Sequence, residues 1–551
     1  MRLGAGKRRP VAAILAAALL AALAAGSGCT KAVRFPKASV AREAGADGLT
    51  EAYDTDGDGR PDYFTTENAA GRKVRIACGA DGDGRPDGAI DLDAISPAEC
   101  RHVVIILDGI PYSVAESMYD EGRLRLFHPP SRVIPPFPAM TDTALADVFG
   151  ARPCGAVESL YFDHASNRMV GGDLKYLSME NESWVRDLDY RAPSVMDGIS
   201  YVWPERVFTA ELADLEKLLE QDDHRDVAAY LVSTAGMDSR YGEKGMRLAL
   251  RTVDRLAEQL VRDSKGCIKI TLMADHGHTL RRGRRIDFTG LLRKRGWHVA
   301  GSLTGPRDAV VVEYGLLTCA TFATQSPAAL AADVAEIEGV DLAACRQGDA
   351  VIVCSVNQGK AAIERQGDRY RYRALEGDPL RLAPIIQQLK AEGKLDADDF
   401  AADADWFQAT AVHDYPDPLD RLWRAFHGLV AHTPDVIASL DRDHYMGAPV
   451  KVVCFPLMQS THGDMSSLST TFIMSMAGPL PAVLRSREVA GALENATGRP
   501  WPPKREAAQP EEAAPEDAAP PGPSSAGVAA GKQQQPSPQR PPRSQRTDVI
   551  K

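Results

Sequence analysis

Ile268–His278 reads Ile-Lys-Ile-Thr-Leu-Met-Ala-Asp-His-Gly-His, and the fold turns on it. The β-branched apolar run predicts a buried strand. It stops abruptly at Asp275-His276-Gly277-His278, where side chains able to bind a metal spill into a loop. Working outward, a second stretch has the same build: Val103-Val104-Ile105-Ile106-Leu107 runs straight into Asp108-Gly109. In an open α/β sheet, chemistry collects at the carboxyl ends of the strands, so two such strands suggest one metal site assembled from both. Either strand end read alone is an ordinary turn, because Asp caps turns well.

A third component lies between them in sequence. Pro135, Pro136 and Pro138 disfavour helix before Met140, so the helical pattern begins at Thr141. The amide groups and dipole of a helix N-terminus favour an anion, and a hydroxyl there is well placed to attack phosphorus. Thr is also a good N-cap, which is the plainer role for Thr141. Further helices are expected at Ser113–Arg123, with Ser113 and Glu116 as a capping box, and on the amphipathic stretches Glu205–Gln221 and Glu243–Val261. A strand is expected at Ala228–Ser233; Val436–Leu440 is expected to return to the core sheet, and Thr470–Met474 to be its last strand.

The chain has 551 residues, 44% of them apolar, and a formal net charge of −11. Residues 1–28 carry Arg2, Lys7, Arg8 and Arg9 and no acid, followed by an apolar run too short to span a bilayer comfortably. They read as a signal peptide whose removal takes the charge from −11 to −15. So acidic a chain, with no long basic run before its end, is a poor non-specific nucleic-acid binder. A small phosphorylated substrate held by a metal remains compatible with it, because an ion's local field outweighs distant net charge. Eight cysteines besides Cys29 permit up to four disulfides in an oxidising compartment.

Asp54, Asp56, Asp58 and Asp62 occupy positions 1, 3, 5 and 9 of a glycine-broken loop, a spacing that wraps oxygens around a hard cation. A weaker copy carries Asp81, Asp83 and Asp87, with Gly79 in place of the first acid. Acidic β-turns without an ion are the alternative. The final stretch, 504–551, is rich in Pro, Ala, Glu, Gln and Ser and is expected to be disordered.

Several of these features resemble known families. Gly26-Ser27-Gly28-Cys29 resembles a bacterial lipoprotein signal, which implies lipidation of Cys29, a membrane link through that anchor and a periplasmic or surface-facing place in the cell envelope. The acidic loops resemble the calcium loops of thrombospondin type 3 repeats and dockerins. Asp108-Gly109, the proline-led Thr141, Asp275-His276-Gly277 and Thr461-His462-Gly463 occur in an order similar to the alkaline phosphatase superfamily, closest to its type I phosphodiesterase and nucleotide pyrophosphatase branch. The resemblance implies an α/β three-layer sandwich with a mostly parallel central sheet, a smaller inserted lobe and two zinc ions, manganese being a possible substitute. By match, Asp108, Thr141, Asp275 and His276 hold one metal, Thr141 is the nucleophile, and His462 binds the other metal.

That family carries an Asp and a His four residues apart for its second metal, and here those positions are Ala235 and Ser239. Asp238, and the cations Arg240, Arg281 and Arg282, stand nearby in sequence; His278 shares the first metal's loop. The organisation expected is 29–50 tether, 51–95 calcium-loop module, 100–315 first part of a catalytic core, 316–429 inserted lobe and 430–485 last part of the core. The function expected is an exported metal-dependent phosphoesterase. A surface binding protein with one metal site and a phospho-group transferase acting on lipid or glycan are the alternatives.

Overall fold

The computed structural model describes residues 33–46, 48–79, 83–178, 183–221, 225–455 and 458–503. Cys29, the leader, Asp81 and the expected disordered tail lie outside them. The described chain is a mixed α/β protein with several sheets.

The sheet that positions the site has seven strands, in the order Tyr190–Arg191, Val227–Leu231, Arg101–Leu107, Ile268–Ala274, Thr471–Ser475, Ser131–Ile134, Val483–Arg485. The first four run parallel; Thr471–Ser475 pairs antiparallel with both neighbours, and the last pair is parallel again. Arg101–Leu107, Val227–Leu231 and Ile268–Ala274 are almost wholly buried, as parallel strands covered on both faces must be. Helices Pro204–Gln221 and Glu243–Asp263 pack their apolar faces onto one side of this sheet, where Phe208, Leu212, Leu250 and Val253 meet Val103, Ile105 and Ile270.

A nine-stranded sheet carries residues 298–402 together with Val436–Leu440. This corrects the expectation for Val436–Leu440, which pairs antiparallel with Cys319–Thr324 and Val340–Gln347 and not with the central sheet. A five-residue strand buried on both faces, apolar but for Ser439, fits any sheet interior, so the pattern holds no information about which sheet receives it.

The expected capping box is also corrected. The helix runs Tyr112–Asp120 behind Pro111, with no side-chain cap, and the Tyr112 hydroxyl donates to Glu116 Oε1 at 2.8 Å. Ser113 therefore lies inside the first turn, two residues past the cap position at Pro111. Cys78, Cys100, Cys267, Cys319, Cys345 and Cys354 are free thiols, so the disulfides their number permits are not formed among them.

The acidic-loop module is a five-stranded antiparallel meander, Ala41 to Asp91. It packs against the layer that carries the central sheet. Lys73 Nζ reaches Glu258 Oε1 at 2.5 Å on the helix Glu243–Asp263, and Gln259 Oε1 accepts from the Arg34 amide at 2.8 Å. Phe35, Tyr53 and Tyr63 join the same apolar core as the central sheet.

Candidate metal centre

Register builds the centre. Arg101–Leu107 and Ile268–Ala274 pair in parallel with Leu107 opposite Ala274, so the next residues, Asp108 and Asp275, emerge side by side at the carboxyl edge. Leu107 also pairs with Leu231, which brings the following helix, Ser233–Tyr241, to the same edge.

Each ligand-type side chain has one atom tethered and one left over. Asp275 Oδ1 accepts from the amides of Gly109 at 2.9 Å and His276 at 2.8 Å, while Oδ2 is buried without a hydrogen-bond partner among the described residues. Asp108 Oδ2 accepts from the Tyr230 hydroxyl at 2.6 Å, and Oδ1 lies 3.7 Å from His276 Nε2. His276 Nδ1 faces the Gly277 carbonyl at 3.1 Å; a carbonyl only accepts, so Nδ1 carries the proton and Nε2 keeps its lone pair. That Nε2 is 3.6 Å from Asp275 Oδ2. Asp108, Asp275 and His276 bring their ligand atoms within 4.8 Å of one another. Tethering the outer atom to fix the inner one is how ligands are oriented around a cation.

Thr141 closes this group. It is the first residue of the helix Thr141–Val148; its hydroxyl does not cap the helix but lies 3.3 Å from His276 Nε2. The plainer N-cap role is therefore not the one it plays. The segment before it is clamped to a distant loop: the Ala139 carbonyl faces His462 Nδ1 at 3.0 Å. His462 stacks on His276 with ring centroids 4.1 Å apart. The His278 ring lies 5.2 Å from that of His462 and 5.9 Å from that of His276, so the three imidazoles form a triangle.

The electrostatics are those of a pocket short of positive charge. Burial raises the pKa of Asp275 to about 6. Burial and then the Asp275 charge push Asp108 well up, and burial followed by both carboxylates does the same to Asp238. Burial lowers His276 to about 4 and His462 to about 3, so neither imidazole supplies a cation at neutral pH. Several buried carboxylates facing uncharged histidines are unfavourable by several kcal/mol unless protons or a metal ion neutralise them (order of magnitude). The donor set of carboxylate oxygens and imidazole nitrogens fits a zinc-type divalent ion.

Glycine is required at two positions. A Cβ on Gly277 would lie 1.9 Å from the Leu468 carbonyl oxygen, so this loop passes backbone against backbone. Gly109 has φ +78°, and a Cβ there would lie 2.6 Å from His278 Nε2 and 3.3 Å from Asp238 Oδ2. Tyr230 was not among the expected site residues, and Asp238 stood only as a neighbour of the second-metal positions Ala235 and Ser239. Tyr230 lies on the strand that ends beside Asp108 and Asp238 on the helix that follows that strand, which is the signal that points to them.

Other candidates lead elsewhere. Ala235 and Ser239 are buried on the helix Ser233–Tyr241 and offer no strong ligand. Arg240 donates to the Val202 carbonyl at 3.0 Å, and Arg281 lies 3.7 Å from Asp443, so neither adds charge to the pocket. In the acidic loop, Asp54, Asp56 and Asp58 come together at the surface. Their oxygens accept from the loop's own amides, Gly57, Gly59, Asp58 and Arg60. Asp62 turns away to hold Thr55, and Asp83 accepts from the Arg85 amide at 2.8 Å. Asp87 belongs to the second loop, where its amide donates to the Cys78 carbonyl at 3.0 Å.

No family model matches the chain, and none of the curated proteins does. Among solved structures it is similar to human ectonucleotide pyrophosphatase/phosphodiesterase 5, at 10% identity over 72% of this chain and 95% of that one, with a TM-score of 0.40. The murine protein of the same name gives 10% identity, the same coverage and a TM-score of 0.38. Scores this low say nothing about the site, whose chemistry comes from its own residues.

Proposed function

We propose that the chain is an exported metal-dependent phosphoesterase of the alkaline-phosphatase-like type I phosphodiesterase and nucleotide pyrophosphatase kind, with Thr141 as nucleophile. One observation carries the reading: the Thr141 hydroxyl, at a helix N-terminus, lies 3.3 Å from the free nitrogen of His276 inside the Asp108–Asp275–His276 group. Asp108, Asp275 and His276 would hold zinc or manganese, with Thr141 beside it. Such an ion supplies Lewis acidity, which favours an ionised hydroxyl and offsets charge on phosphoryl oxygens.

The chain's own residues do the rest. The helix beginning at Thr141 aims amide groups at an incoming phosphate. Thr141 Oγ1 attacks phosphorus, the bond to the leaving alcohol breaks, and a phospho-threonine forms; water then releases the product and restores the hydroxyl. Tyr230 and the Gly109 amide keep the two carboxylates aimed inward during both displacements.

Ala235 and Ser239 favour a competing reading, a binding protein with one metal and no turnover. Hydrolysis of a chromogenic phosphodiester by the purified protein with zinc or manganese separates the two. Turnover no faster than that of Thr141→Ala would leave the binding protein. Export with a lipid anchor at Cys29, and calcium in the Asp54–Asp62 loop, belong to the same proposal. No helix among the described residues is long and apolar enough to cross a membrane.

A further inference from the structure

Asp238 is fully buried, and neither of its carboxylate oxygens has a hydrogen-bond partner among the described residues. His278, 2% exposed, presents a second orphan, Nε2. Its neighbours fix where the proton on His278 sits. The Ser460 hydroxyl donates to the Asp238 carbonyl at 3.1 Å, because a carbonyl cannot donate back. Ser460 Oγ, 3.0 Å from His278 Nδ1, must then accept, so Nδ1 carries the proton and Nε2 is a bare lone pair. Two acceptor groups with no donor thus border one spot, the position beside Gly109 where a Cβ would meet both Nε2 and Asp238 Oδ2. An unpaired buried acceptor is costly, and two that converge call for a cation.

His462 completes the set. Its Nδ1 is tethered to the Ala139 carbonyl, which leaves Nε2 as the lone-pair nitrogen, and its ring lies 4.1 Å from that of His276 and 5.2 Å from that of His278. The helix explains how Asp238 comes to serve. Residues three and four apart share a helical face, so Asp238 stands on the face that Ala235 and Ser239 also occupy.

We infer that Asp238, His278 and His462 form a second divalent-cation site next to the Asp108–Asp275–His276 centre, with Asp238 and His278 replacing the ligands absent at Ala235 and Ser239. One carboxylate and two imidazoles form a zinc-type set that leaves a coordination position open. The inference rests on the reading of Asp108, Asp275 and His276 as a first cation site.

The test is zinc per chain, measured by elemental analysis after loading the full-length protein and removing excess by gel filtration. Two ions are expected in the wild type, and one in Asp238→Ala, in His278→Ala and in Asp108→Ala. One ion in the wild type, unchanged in Asp238→Ala and His278→Ala but lost in Asp108→Ala, overturns the second site and leaves the first standing. Two ions in all three variants overturn it as well, and no bound zinc in the wild type overturns both sites. Where a variant fails to fold, zinc-edge anomalous scattering from wild-type crystals decides. A peak touching Asp238 and His278 is expected, and a peak at Asp108–Asp275–His276 alone overturns the inference.

Discussion

Two acid-rich clusters in this protein look alike in sequence and differ in physics. The Asp54–Asp58 loop is exposed, and its carboxylates are already satisfied by amides two to five residues away. The Asp108–Asp275 centre is buried, draws on segments separated by well over a hundred residues, and leaves Asp275 Oδ2 without a hydrogen-bond partner among the described residues. A local cluster can fold around its own backbone with or without an ion. A long-range one carries a standing electrostatic demand, because burial weakens the screening that makes exposed carboxylates cheap.

The sharpest way to break this comparison is at the buried centre. Thr141→Ala is expected to lower phosphodiester turnover on the order of 10⁴-fold with zinc retained, and Asp108→Ala to lower turnover at least about 10³-fold with one zinc lost. Initial rates paired with metal content check both. If Asp108→Ala keeps wild-type turnover, the buried cluster is not the reactive centre.

Next in size is a pH effect. The folded pKa of Asp275, about 6 without metal, lies above its ordinary value of 3.8. The folded metal-free protein therefore holds this proton more tightly than the unfolded chain. Its contribution is fully present below pH ~4 and is lost as pH rises through about 6. A cation competes with that proton, so stabilisation by added zinc should grow between pH 5 and 7.5, read as the zinc-induced rise in Tm. A rise in Tm that is flat or shrinks across this range would contradict the assignment of Asp275.

Gly109→Ala comes third. A methyl group at positive φ, 2.6 Å from His278 Nε2, should cost roughly 1–3 kcal/mol in denaturant unfolding and weaken zinc binding. Unchanged unfolding and unchanged zinc content would show that the space beside Gly109 is not used. The smallest effect belongs to the exposed loop. Calcium chelation should lower Tm by a few degrees, corresponding to about 1 kcal/mol or less, and Asp54→Ala should remove that sensitivity while leaving turnover intact. A large loss of turnover on calcium removal would erase the contrast between the clusters.

Much of the centre was legible because its parts are local. An apolar run that ends in Asp-His-Gly announces a strand and the ligand-bearing loop at its end, and the prolines before Met140 fix where the Thr141 helix begins. Val436–Leu440 was not legible, because being apolar on both faces suits either sheet. The role of Asp238 was hidden for a related reason. Counting along the chain finds Ala235 and Ser239 empty, whereas a helix presents neighbouring turns to the same pocket.

The sequence by itself determined which residues stand at strand ends and helix starts, since periodicity and backbone sterics act over a few residues. Only the tertiary structure decided that Leu107 lies opposite Ala274, that Tyr230 reaches Asp108, and that Asp238 and His278 face each other across Gly109. Those pairings depend on strand register and helix packing between distant segments, which no local pattern encodes.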